Sequence, residues 1–521
     1  MSEMEFNLLD EKWILAMDNS GKIGCYSIPE LFAEADKLKC LSGEIPTQDF
    51  ALMRLLLAIL YAVYQGHDAD GSEADISNED EAFDRWKALW DKGYFDTEAI
   101  GNYLSAYHDR FFLFHPTRPF YQAPIDKGTD YLMAKLNGEI SESSNKPRLF
   151  SPLSGVVKEE MGFAEASRWL INLNAYDDTS AKPSVRGEGL PSCGAGWIGK
   201  LGPVYLEGDN LFQTLLLNLV LVSEDGEPFP KGVATWEPEI AKADERTPIP
   251  LPKSPVEILT LQSRRLLLKR SGSAVVGFRL LGGDIVEKAN AFTEQMTLWY
   301  QDKEGNFNPK RHDPLRSMWR DYQSIMVKEI EERTNHIPGV IRWARDLEDR
   351  KLIDYDSIRI SIVGLKYADK DFFVEDFIKD SLDINASLLL SMNSEWNQKI
   401  SAAVSKTDDM VSLLWSYSRG VSEICGCDDN SCKNSGNKAK IQAYHDLDAP
   451  FRSWLRSVDP QADDVNKSMR MWLDVSARIV DTIAKDLMRD AGERALVGSD
   501  KGNAFIQYRI FSAKLRKLMI S

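Results

Sequence analysis

The sequence predicts an α+β protein, with a large mixed α/β N-terminal domain over residues 1–371 and a C-terminal helical bundle of four-helix type over residues 372–521. Three observations carry this expectation. Short β-branched or aromatic runs alternate with helical stretches ahead of Phe372, without the regular strand-helix repetition of a barrel or doubly wound sheet. Beyond Phe372, apolar residues recur at three- and four-residue steps. With 521 residues, 43% of them hydrophobic and 27% charged, the chain is also longer than one core organises.

In chain order, residues 47–64 and 211–221 read as helices, and residues 202–206, 256–260 and 358–363 read as strands. The run from Arg110 to Gln122 reads as a Phe-rich helix end that stops at His115-Pro116, because a residue preceding proline is pushed out of the helical region. Its phenylalanines read as a buried aromatic cluster. After a junction near residues 364–372, apolar faces run through 384–404, 410–424, 439–454 and 504–519. Val465, Met469, Trp472, Val475, Ile479, Ile483 and Leu487 place another on a helix that starts near a capping Asp463 and stops before Gly492.

A formal net charge of -17 argues against a protein that coats nucleic acid nonspecifically, since such binding depends on neutralising phosphates. Any DNA contact must be local. Basic residues gather in Lys146-Pro147-Arg148, in residues 264–270 and in Lys310-Arg311-His312, although each group also fits a solvated face. The apolar run 50–64 is interrupted by Arg54 and reads as too short for a membrane span, and no basic leader precedes it. The expected address is the cytoplasm, with no membrane partner.

Of the six cysteines, Cys25, Cys40 and Cys193 are scattered. Cys425, Cys427 and Cys432 cluster at a polar stretch, 428–438, read as a loop. They could join His445 or an Asp around zinc, or remain reduced loop thiols. No other chemistry emerges. There is no GxSxG elbow and no GxxxxGK[ST] run, and Gly194-Ala195-Gly196 leads into a turn instead of a helix. His108 and His115 lack a metal-type spacing and read as packed or capping residues. No catalytic residue and no cofactor is expected. The glycine-rich run 187–202 is the best candidate site, since residues without large side chains permit close backbone approach to a partner; a flexible surface loop is the alternative.

The opening NLLDEKWI (7–14), FHPTRPFYQ (114–122), GAGWIGKLGPVYLEG (194–208) and an all-helical last third occur in one order. In these the chain resembles the CasA family, the large subunit of the type I-E CRISPR Cascade complex. The resemblance implies a non-catalytic subunit that recognises the protospacer-adjacent motif in double-stranded target DNA and starts strand separation. It also implies contacts with other Cascade subunits and help in recruiting a separate helicase-nuclease. By the same resemblance, Gly194, Ala195 and Gly196 approach the motif from the minor groove, whose degenerate pattern favours tolerance of related motifs. Asp369, Lys370 and Asp371 occupy the tip of a wedging hairpin, where the family has amide and small residues, and Lys370 is the wedge. Lys288 stands near a motif-contacting lysine, and Phe150 begins a loop that reaches the guide RNA 5′ handle. The alternatives from other classes are a zinc-binding metal-dependent enzyme using the cysteine stretch, and a purely structural helical scaffold subunit.

Overall fold

The computed structural model describes residues 4–137, 159–179, 192–245, 248–327, 329–330, 333–368, 370–498 and 502–520. The chain forms two compact units. The first is built from Met1–Pro314, His336–Leu347 and Ile360–Asp380, and the second from Leu315–Asn335, Glu348–Arg359 and Ser381–Ser521. Position 371, where the sequence suggested a change of domain, falls inside Ile360–Asp380. The fold class is as expected, a mixed α/β region and a helical one.

The first unit is organised around the helix Pro46–Tyr64. Proline in its first turn lacks only an N–H that would have no helical partner, and the Leu- and Ala-rich run behind it contains no glycine. Almost every side chain of this helix is buried, so its sequence shows no polar face. By length and hydropathy it could cross a membrane, contrary to the reading that the run is too short, yet 89% of the apolar window is buried inside the protein. Among the described residues, three sheets of three or four strands contribute to the unit. Ile14–Asp18 lies between Ile23–Tyr26 and Leu38–Leu41; Ala274–Gly282 pairs with Arg264–Ser271, Thr129–Leu132 and Met161–Gly162; and Ser357–Ala368 lies between Phe373–Asn385 and Val204–Glu207.

Asp49, half-buried in the first turn of the central helix, accepts a 2.7 Å hydrogen bond from the Gly43 N–H. Burial nevertheless pushes its carboxyl up to about 6. A folded-state value above the unfolded one makes the proton a stabilising ligand, so this contribution is complete below about pH 4 and is lost as pH rises through about 6. Asp49→Asn keeps an acceptor for Gly43. It is expected to raise the unfolding free energy at pH 7.5 by about 1 kcal/mol after discounting for partial exposure, with the gap over the parent closing by pH 4 in urea titrations.

Two sequence motifs meet here. Glu5–Asn7 pairs antiparallel with Phe112–Phe114, and Asn7 Nδ2 donates to the His108 carbonyl at 3.0 Å. The FHPTRPFYQ run is therefore a short strand and turn, not the helix end expected, because the helix before it stops at Ala106 and a 3-10 turn, His108–Arg110, intervenes. Its aromatic cluster is real: Phe111 and Phe120 stack at 4.8 Å and both pack on Trp236. His115 caps the turn, its Nδ1 accepting from the N–H groups of Thr117 and Arg118. Of residues 256–260, read as a strand, 256–259 lie in the helix Pro255–Leu259 and Thr260 caps it, where proline at the first helical position outweighs β-branched propensity. The helix expected over 211–221 ends at Leu217.

In the second unit four long helices, Ser394–Ile424, Asp429–Ser457, Val465–Asp490 and Ala504–Ile520, form the expected bundle. Trp472 is its hub, packing edge-on to Phe451 at 5.0 Å and stacking with Trp454 at 5.5 Å. The helices expected over 384–404 and 410–424 are one from Ser394 onward, with no Gly or Pro between them. Thr407, in the interval between them, is buried; its hydroxyl donates to the Ala403 carbonyl at 2.8 Å and accepts from Trp472 Nε1 at 2.9 Å. The helical reading from Phe372 onward fails at its start, where Phe373–Asn385 is a strand. Buried Ile378, Leu382 and Ile384 share one face of a strand, whereas of the three only Ile378 and Leu382 also suit a helix face.

The stretch 428–438 is helical, not a loop. Asp428 accepts from the Ser431 N–H at 3.0 Å and caps the helix that begins at Asp429. Cys432 is thereby buried with its thiol on the Cys427 carbonyl, while Cys427 is exposed and Cys425 lies against the Ala491 carbonyl. Among the described residues no group of three His, Cys, Asp or Glu side chains could hold a metal ion.

Candidate nucleic-acid interface

Several segments of the first unit, distant in sequence, converge at the end of the helix Phe163–Tyr176. The helix stops at Tyr176 and continues as an extended tail from Asp177 to Thr179. The Gly196 N–H donates to the Asp177 carbonyl at 2.8 Å, fastening the glycine-rich segment to one side of the tail. On the other side, the Thr179 N–H donates to the Asp371 carbonyl at 2.9 Å and the Thr179 hydroxyl to the Lys370 carbonyl at 2.7 Å. The Thr179–Lys370 bond joins positions 191 apart, and through these few residues of tail the glycine segment is tied to the hairpin tip.

Beneath them runs a buried ion network. Arg264, wholly enclosed, donates through Nε to Asp177 at 2.5 Å and through Nη2 to the Gly194 carbonyl at 2.7 Å and the Asp178 carbonyl at 2.9 Å. Lys135 holds the Asp178 carboxylate. Arg264 and Arg265, read from the sequence as part of a solvated basic face, are instead interior residues. They face chain carbonyls and carboxylates because an unpaired guanidinium could not be buried.

The glycine segment is fixed by its tryptophan. The Trp197 N–H donates to Ser263 Oγ at 2.9 Å, and Trp197 Nε1 to Glu294 Oε2 at 2.8 Å. Glu294 is held in turn by both terminal nitrogens of Arg54, at 2.7 and 2.8 Å, and both side chains are 1% exposed. Ala195 and Gly196 are buried, while Gly194 is half-buried with a left-handed φ of 64°. A Cβ at Gly196 would strike the Ala175 carbonyl. The close backbone approach that the sequence suggested for Gly196 is therefore made by the protein's own helix end, and Gly194 is the member of the trio at the surface.

At the hairpin tip, Lys370 and Asp371 both have left-handed backbones, with φ of 56° and 63°, and Lys370 is exposed. Asp371, a carboxylate unfavourable beside phosphate, is neutralised by Arg311 at 2.8 Å. Arg311 also lies over the Tyr367 ring at 5.2 Å, and the Tyr367 hydroxyl donates to the Tyr176 carbonyl at 2.6 Å, closing the circle around the helix end. Lys288 is exposed on a loop secured by Asn290, whose N–H donates to the Phe307 carbonyl and whose Oδ1 accepts from the Phe307 N–H, both at 2.8 Å. The short strand from Phe307 leads into Arg311.

Lys200 completes the cluster. Mostly buried, it has its ammonium pulled down to about 8, first by burial and then by the positive charges of Arg264, Lys288 and Arg311. Sequence reasoning brought Gly194, Lys288, Lys370 and Asp371 forward but missed Lys200, Arg264, Arg311 and Thr179. Lys200 lay within the quoted glycine run, yet a single lysine there carried no signal of burial. Asp369 and Phe150, with the basic triplet ahead of Phe150, lie outside the described residues.

The profile of the CRISPR-associated protein Cse1 family matches residues 7–483, taking in the glycine segment, Lys288 and the hairpin tip. The chain belongs to the Cse1 family. A CasA/Cse1 protein of Thermus thermophilus is 30% identical over 364 residues, spanning 68% of this chain and 67% of that protein. The crystal structure of Thermobifida fusca Cse1 superimposes with a TM-score of 0.83 at 27% identity, covering 100% of this chain and 99% of that one. A chain of a CRISPR RNA-guided surveillance complex shares the fold, with a TM-score of 0.70 at 17% identity over 99% of both chains. The Cse1 fold of this chain therefore extends over its whole length, and the helix-end cluster lies within the family's matched region.

Proposed function

We propose that this Cse1-family chain is the non-catalytic large subunit of a type I-E guide-RNA surveillance complex, testing double-stranded DNA for a protospacer-adjacent motif at the cluster around the end of the helix Phe163–Tyr176. The observation that carries the reading is the convergence of Gly194, Lys370 and Asp371 on one tail, with Lys288 close enough to act on Lys200 in the same cluster. A chain with a net charge of -17 gathers here Lys200, Lys288 and Lys370, none of which has an ion-pair partner among the described residues. Such a local basic patch on an acidic protein favours contact at one place and quick release elsewhere. Gly194 offers backbone to the minor groove, Lys288 a motif contact, and Lys370 the wedge that begins strand separation. Guide pairing then reads the remaining sequence, a division of labour also used by Cas9-type effectors.

The reading further includes a cytoplasmic address, contacts with other Cascade subunits, a contact of Phe150 with the guide RNA 5′ handle, and help in recruiting a separate helicase-nuclease that performs the cutting. Binding of motif-bearing and motif-free duplexes by the assembled guide complex tests it. Lys288→Ala and Lys370→Asn, the latter a residue that tolerates the left-handed turn, should each weaken motif-dependent capture about tenfold, on the scale of a lost charge-assisted hydrogen bond, without changing complex assembly. Unchanged capture by both variants would remove the cluster from the site. Cutting of DNA by the purified chain in magnesium would overturn the non-catalytic role.

A further inference from the structure

We propose that Lys200 forms the floor of a phosphate-binding pocket in this cluster, taking one backbone phosphate of the duplex beside the bases approached by Gly194. The inference rests on the reading that the cluster receives duplex DNA, and it adds a contact that fixes the register of the groove against the loop.

The geometry begins with Gly194. Lys200 Cε lies 3.3 Å and its Nζ 3.7 Å from where a Cβ on Gly194 would stand, so the ammonium lies directly under the exposed backbone of the loop. No described residue pairs with it. The charged groups facing it from the surrounding elements are Arg264, Lys288 and Arg311, and the nearby carboxylates are already engaged: Asp177 by Arg264, Asp178 by Lys135 and Asp371 by Arg311. The remaining titratable neighbours are Cys193 on the same loop and Tyr367, whose hydroxyl is held by the Tyr176 carbonyl and whose ionisation burial pushes up.

A mostly buried ammonium among like charges, with no carboxylate of its own, is unfavourable unless an anion is supplied. The depressed ammonium of Lys200 reflects this imbalance, and a phosphate would relieve it by restoring the full charge. Apart from the chain neighbours of Gly194, Lys200 is the only described residue within 4 Å of that Cβ position. An isolated phosphate and a DNA phosphate share this chemistry. The DNA backbone is the source that also engages Lys288 and Lys370.

The test uses the assembled guide complex carrying wild-type, Lys200→Met or Lys200→Arg protein, with melting temperatures establishing that each is folded. Lys200→Met should weaken duplex binding to motif-bearing and motif-free DNA alike and lower the slope of log affinity against log salt by about 1, whereas Lys200→Arg should retain both. Single methylphosphonate substitutions along the duplex identify the phosphate: one position should weaken wild-type binding and have no effect in Lys200→Met. Raising the pH from 7 to 9 should weaken wild-type binding more than that of Lys200→Met, because the unliganded ammonium, titrating at about 8, is lost over that range. Inorganic phosphate that competes no better than chloride at equal ionic strength agrees with a DNA source; selective competition that is lost in Lys200→Met, with no methylphosphonate-sensitive position, would assign the pocket to free phosphate and overturn the proposal.

An unchanged salt slope in Lys200→Met would also overturn it. If Lys288→Ala and Lys370→Asn still lose motif-dependent capture in that event, the proposed function stands without this pocket. If they do not, both fall together.

Discussion

Glu294→Ala is expected to lower the unfolding free energy of the first unit by about 3–5 kcal/mol, the cost of leaving a buried charge without its partner. Arg54 has no water to turn to, since its side chain is 1% exposed and both of its bonded terminal nitrogens donate to Glu294. The same substitution removes the acceptor of Trp197 Nε1, so the damage reaches the glycine segment. Urea denaturation of the isolated chain measures the loss. Glu294→Gln, which keeps one acceptor but not the charge, should fall between parent and alanine variant. The double replacement Arg54→Met with Glu294→Leu should recover part of the stability, because no charge then remains buried. A loss below about 1 kcal/mol for Glu294→Ala would mean that Arg54 finds water or another acceptor after the change, and the anchoring role would be wrong.

Gly196→Val should be the second most damaging change, lowering stability by about 2–3 kcal/mol, at the upper end of core overpacking. The added carbons would run into the Ala175 and Asn174 carbonyls, and relief by backbone movement would break the Gly196 hydrogen bond to Asp177. Read from sequence alone, a bulky residue at this position blocks DNA and leaves the protein intact. In the structure the fold at the helix end is disturbed first, and any loss of the proposed DNA capture would follow from that. Gly194→Ala separates the two: Gly194 is half-buried and its nearest neighbour is the flexible end of Lys200 at 3.3 Å, so the cost is that of a Cβ at a left-handed φ of 64°, about 1 kcal/mol. Thermal melts should show a drop for Gly196→Val about two- to three-fold larger than for Gly194→Ala. Equal drops would contradict the packing described here.

Much of the architecture was legible because it follows from local patterns. The helix Val465–Asp490 announces itself by an apolar stripe and an aspartate cap, and the structure moves the cap by a single residue, to Asp464. The errors arose where two periods coincide or where a tertiary bond overrides propensity. Ile378 and Leu382 sit four apart, as on a helix face, while lying in a strand, and Phe112–Phe114, read as part of a helix end, is held as a strand by its pairing with Glu5–Asn7. The site was partly legible. Gly194, Lys288 and Lys370 stood out through glycine content and resemblance. The buried partners that assemble them, Asp177, Arg264 and Glu294, are ordinary charged residues until their burial is known.

Clamping Trp197 to a dry ion pair has a mechanical result. A loop whose tryptophan is bolted to the interior cannot flex to follow a duplex of the wrong groove width. In the proposed role, the strain of a poor match therefore stays in the DNA, which springs away, and rejection is set by the stiffness of the protein and not by a list of forbidden bases.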